Sequence, residues 1–226
     1  MSLRTVVSVS ALLPLLSVTP NHFVPAHAST KLRLTLATLH AAALTTSRTG
    51  ADSLDDPYFL VSILGPRTNT ETIHLPATGH LRIHRNEALG ARPLAELSLE
   101  PGDTVRLLVS VLEGAKGRDA DETAAAAAST IVLSQASTAR AAMLSSALAP
   151  VTKDGAHWLG SATLLLTNEA GTAYWRALEC VVTCKVLSGG VATPFPAQGA
   201  APLAGVVELS GAGGTYHMQL QGQLAP

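Results

Sequence analysis

The feature that most constrains the fold is the alternation of apolar and polar side chains, repeated in separate segments. Over residues 31–39, Leu32, Leu34 and Leu36 fall on one side, and Lys31, Arg33 and Thr35 on the other. Over 104–112, Val105, Leu107, Val109 and Val111 share a side. Strand side chains alternate with a period of two, so both segments read as strands with one buried face. Residues 58–64 are β-branched and aromatic and end at Gly65-Pro66. Residues 70–75 and 81–83 flank Pro76-Ala77-Thr78-Gly79 and predict a hairpin. Residues 161–167 and 174–187 predict further strands, and 206–209 and 215–220 a second hairpin across Gly211-Ala212-Gly213-Gly214. About eight strands divided by turn signals predict a mainly β fold, an antiparallel eight-stranded β-sandwich.

One stretch departs from this pattern. Residues 121–148 are rich in Ala, the best helix former. Asp121 and Glu122 suit a first turn, and Pro150 stops the run. Val132, Ala136, Ala139, Met143 and Ala147 recur at helical spacing. The expectation is an Ala-rich helical insertion at about 120–149, packed on the sandwich. A membrane or partner contact is the alternative. Arg140 is its single basic residue, which argues against an anionic lipid surface.

Composition narrows the function classes. Lys plus Arg number 15 and Asp plus Glu 16, a net charge of −1, which argues against a nucleic-acid binder. Aromatics make up 4%, too few for a groove built on stacking or for sugar platforms. The hydrophobic fraction of 47% argues against disorder. Residues 6–18 are apolar apart from Ser8, Ser10, Pro14 and Ser17, and Arg4 is the only basic residue before Lys31. With Ala26-His27-Ala28 as an A-x-A cleavage site, 1–28 reads as a signal peptide and 29–226 as a single domain. The expectation is a secreted, periplasmic or cell-surface protein with no transmembrane segment.

Three motifs resemble the C2 domain, a calcium- and phospholipid-binding β-sandwich family. Asp52-Ser53-Leu54-Asp55-Asp56-Pro57-Tyr58-Phe59-Leu60-Val61, preceded by Gly50, resembles its G-x-S-D-P-Y-V-x-V signature. Val109-Ser110-Val111-Leu112-Glu113 resembles the V-x-V-x-D strand before the third loop, with Glu113 where that family has Asp. Asp154-Gly155-Ala156-His157-Trp158-Leu159-Gly160 resembles the entry to the next strand. The motifs occur in family order. The resemblance implies a non-enzymatic binding module contacting a lipid or protein surface. It implies a calcium site built from Asp52, Asp55 and Asp56 on one loop and Glu113, Asp119 and Asp121 on the other. Calcium takes about 6–8 oxygen ligands, which convergent acidic loops supply. The alternative is that these acids cap turns and the helix, in a calcium-independent structural or interaction protein of the cell exterior.

Other motifs lead elsewhere. Leu75-Pro76-Ala77-Thr78-Gly79 matches the L-P-x-T-G sorting signal but has most of the chain after it, and reads as a turn. His74, His80 and His84 invite a zinc reading, but His80 and His84 would stand ~13 Å apart along a strand, too far for one ion, so with Arg82 they read as a solvated face opposite Leu81 and Ile83. Cys180 and Cys184 would be equally far apart on one strand and read as small buried hydrophobes; a break in the strand would instead let them form a disulfide. No G-x-S-x-G elbow or phosphate loop is present in the sequence.

Overall fold

The computed structural model describes residues 29–45, 54–65, 71–77, 81–114, 139, 142–146, 149, 157–197 and 199–225. In chain order the strands are β1 (Thr30–Ala43), β2 (Leu54–Asp55), β3 (Pro57–Leu64), β4 (Glu71–Leu75), β5 (Ile83–His84), β6 (Ala88–Leu89) and β7 (Arg92–Leu99). They continue as β8 (Thr104–Glu113), β9 (His157–Glu169), β10 (Thr172–Val182), β11 (Cys184–Ser188), β12 (Thr193–Pro194), β13 (Leu203–Leu209) and β14 (Thr215–Leu224). All pairings are antiparallel. One six-stranded sheet runs β11-β13-β14-β1, with β6 and β7 both along the far edge of β1. The other runs β12-β10-β9-β8-β3-β4, and β2 and β5 form a two-stranded ribbon.

The two sheets share one core because their alternating side chains meet. From the first come Leu32, Leu34, Leu36, Leu39 and Tyr216; from the second Phe59, Val109, Leu164 and Trp175. The alternation of β1 slips once. A register shift between Leu36 and Thr38 lets Leu36 and Leu39, three residues apart, both face inward. At Gly205 in β13, an added Cβ would come within 2.6 Å of Leu178 Cδ2 and 3.0 Å of Trp175. Glycine there is what lets those two side chains of the facing sheet approach. The turn from β13 to β14 holds Ala212 (φ 51°) and Gly213 (φ 78°), the two positive φ values of a primed hairpin.

The neighbouring interior strands β3 and β8 are buried on both faces along most of their length. Phe59 and Val61 belong to the shared core, while Tyr58, Leu60, Leu108 and Leu112 form a second cluster on the outer face with Leu144. Of the expected helical insertion, residues 139, 142–146 and 149 are described and are helical; the remainder lies outside the described residues. So does the whole of 1–28.

Four sequence expectations are corrected. The described strands number fourteen rather than eight. Two-residue strands carry too little pattern to read, and β7 opens on Arg92-Pro93 and carries Glu96, which disguises it. Residues 70–75 and 81–83 do not form a hairpin with each other: β4 pairs with β3, and β5 with β2. Leu81 and Ile83 are instead drawn into the shared core. Residues 174–187 are not one strand, because the chain breaks at Thr183 (φ 47°) and crosses from the second sheet to the first. That break brings the Cα atoms of Cys180 and Cys184 to 5.5 Å, and the two form a disulfide rather than packing as separate thiols.

Candidate functional site

Of the acids named from the sequence, Asp56 and Glu113 fall at one end of the second sheet. Pro57 pairs with Glu113 across β3 and β8, and Glu113 pairs with His157 across β8 and β9. The Gly114 N–H donates to the Asp56 carbonyl at 3.4 Å. The loop before β3 and the loop after β8 therefore leave the sheet side by side. Asp56 and Glu113 are brought together at this end, while Asp52, Asp119 and Asp121 lie outside the described residues.

Asp55 is placed differently from its neighbour. It is fully buried, and the Thr45 N–H and hydroxyl donate to its carboxylate at 2.9 Å each. The Tyr216 hydroxyl, itself fully buried, donates to Oδ2. An ionised carboxylate is costly to bury unless its oxygens are hydrogen-bonded, and these three donors meet that need. They also tie the chain after β1, the ribbon and β14 to one point. The Asp56 side chain is largely buried, with Arg82 Nε 4.0 Å from Oδ1. Since Arg82 is 78% exposed, water screens that pair.

Thr45 and Tyr216 were not anticipated, because nothing in the spacing links Tyr216 to a residue 161 positions away. A signal was present all the same. Strand alternation gives Asp55 the same facing as Phe59 and Val61, so Asp55 and Asp56 do not share a direction.

A second feature is a cleft of about 410 Å³ where the edges of the two sheets part, between β4 and β7. Buried Ile63, Leu99 and Val105 line it together with Glu71 and Glu96. Arg33 already holds Glu96 at 2.8 Å, and Asp103 accepts from the Glu100 N–H at 2.9 Å, closing its own turn. On the outer face of the second sheet, the Trp158 indole donates to Ser161 at 3.0 Å, and Ser161 to Ser110 at 2.7 Å. The Tyr58 and His74 rings stack there at 5.0 Å.

Of the predicted solvated face, Arg82 and His84 are exposed opposite buried Leu81 and Ile83; His80 lies outside the described residues. Among the described residues, no three His, Cys, Asp or Glu side chains are gathered to hold a metal ion, and no helix is long and apolar enough to cross a membrane. No protein-family model, curated protein or solved structure matches the chain.

Proposed function

We propose that the chain is an exported, non-enzymatic binding module built on a C2-like β-sandwich, with the Asp56–Glu113 end as its contact end. Calcium is the candidate ion there, and a lipid head group or a protein the candidate partner. The observation that supports this reading is the pairing of Pro57 with Glu113, together with the Gly114–Asp56 hydrogen bond. It brings Asp56 and Glu113 to the same end of the sheet, which supports the convergence that calcium ligation requires. Asp55 serves the scaffold in this reading, and Asp56 and Glu113 remain the candidate ligands with Asp52, Asp119 and Asp121. The engagement of Asp55 by Thr45 and Tyr216 favours a second reading, a calcium-independent structural or interaction protein of the cell exterior.

Thermal unfolding in calcium and in chelator separates the two. A ligand that binds only the folded state stabilises it by RT ln(1 + [L]/Kd). The module reading expects a higher midpoint in calcium, lost in Asp56→Asn. An equal midpoint in both buffers rejects calcium and leaves the structural reading. Export has its own check: mass spectrometry of the extracellular protein is expected to find an N-terminus near Ser29, and a mature start at Met1 or Ser2 would refute it.

A further inference from the structure

The outer face of the first sheet carries an arrangement that the acidic end does not explain. His40 on β1 is directly opposite His217 on β14, and His217 is directly opposite Glu208 on β13. Directly paired residues of antiparallel strands project from the same face. Their chain neighbours Leu39, Ala41, Tyr216, Met218, Val207 and Leu209 fill the core on the other side. The three side chains thus form a row across three strands, partly open to solvent. The two imidazoles stack with centroids 5.8 Å apart and planes at 28°. His217 Nε2 lies 3.2 Å from Glu208 Oε2.

We propose that His40 and His217 form a surface site for a divalent late transition-metal ion such as zinc. A carboxylate only accepts a hydrogen bond, so the contact with Glu208 holds the proton on His217 Nε2 and leaves Nδ1 with its lone pair. A metal-binding imidazole is ordinarily oriented in this way by a carboxylate on its other nitrogen. Imidazole suits zinc, copper and nickel, whereas calcium takes oxygen ligands, so this site is chemically separate from the acidic end. The two strands fix the spacing, and the soft terminal torsions of the two side chains let the nitrogens turn toward one ion without changing the register. Water completes the shell, which makes this a two-histidine site oriented by Glu208. Lys185 is paired with Glu208 on its far side and Ala88 with His40, so no second carboxylate enters the row from β11 or β6.

The test is calorimetric titration of the full chain with zinc, alongside His40→Gln, His217→Gln, the double variant, Glu208→Gln and a His74→Gln control. The expected result is one saturable zinc ion lost in the double variant and weakened at least tenfold in either single one. Loss of an orienting partner costs about 10–100-fold in metal affinity, which sets the expectation for Glu208→Gln. His74→Gln is expected to bind as the unaltered chain does. Paramagnetic broadening by nickel needs no substitution and is expected to reach the His40 and His217 ring signals first. Absence of zinc binding overturns the proposal. So does binding that persists in the double variant, or nickel broadening confined to other histidines.

Discussion

Asp55 and Asp56 are chemically identical neighbours with opposite environments. Asp55 turns into the interior and receives three hydrogen bonds, whereas Asp56 stands at the loop end with Arg82 nearby. Tyr216→Phe removes one donor from the buried carboxylate while leaving the ring that fills the core. The expected loss is about 1–3 kcal/mol, measured as a lower urea midpoint at unchanged m-value. A midpoint equal to that of the unaltered chain would mean that the phenol contributes nothing to holding Asp55. The sequence showed both acids but not their division of labour, because Tyr216 and Thr45 reach Asp55 only after two sheets have formed. The same holds for the His40–His217 pair. His217 falls within the strand expected over 215–220 and His40 just past the one expected over 31–39, but their adjacency depends on a register that no local pattern encodes.

The crossing at Thr183 shows how an element's end is fixed. The chain leaves the second sheet at Val182 and joins the first at Cys184. Thr183 lies in the left-handed region, which β-branched residues rarely adopt. Its carbonyl accepts from the Ser210 N–H at 2.7 Å, and its hydroxyl donates to the Leu159 carbonyl at 3.1 Å, so both sheets hold the corner. Gly160 packs against the same corner: an added Cβ would stand 2.9 Å from the Thr183 carbonyl oxygen. That contact gives the Trp158-Leu159-Gly160 motif a structural reason that the sequence alone could not supply. The Cys180–Cys184 disulfide then closes a very short loop. Chain-entropy reasoning assigns it about 2 kcal/mol, less than a bridge across a long loop. Cys180→Ser with Cys184→Ser is therefore expected to lower unfolding stability by about that amount while retaining the fold, as read by urea titration and far-UV circular dichroism. Loss of the cooperative transition altogether would show that the disulfide sustains the crossing by itself. The expectation of one strand over 174–187 fails here because alternation persists on both sides of the break, and a single residue at positive φ leaves almost no trace in hydropathy.

At the scale of the whole molecule, the first and last described strands are neighbours in the middle of a sheet. β1 and β14 pair through ten registered positions, from Leu32–Leu224 to Ala43–Thr215. Tyr216 of β14 also reaches the Asp55 carboxylate, so closing this pair engages the ribbon as well. Such pairing of distant chain segments makes folding depend on long-range closure, and folds of this kind form in milliseconds to seconds. It also predicts that the shared core and the outer cluster unfold together. Two tryptophans report on them separately: Trp175 is buried in the shared core, and Trp158 packs on the outer cluster. In Trp158→Phe, the fluorescence of Trp175 is expected to follow the same urea transition as far-UV circular dichroism, because the two sheets bury their side chains in one shared core. Truncation after Gly214 removes β14 and leaves β1 without its longest partner, and that chain is expected to show no cooperative transition. Separate midpoints for Trp175 fluorescence and circular dichroism, or a truncated chain that still unfolds cooperatively, would show that the second sheet is stable without the first.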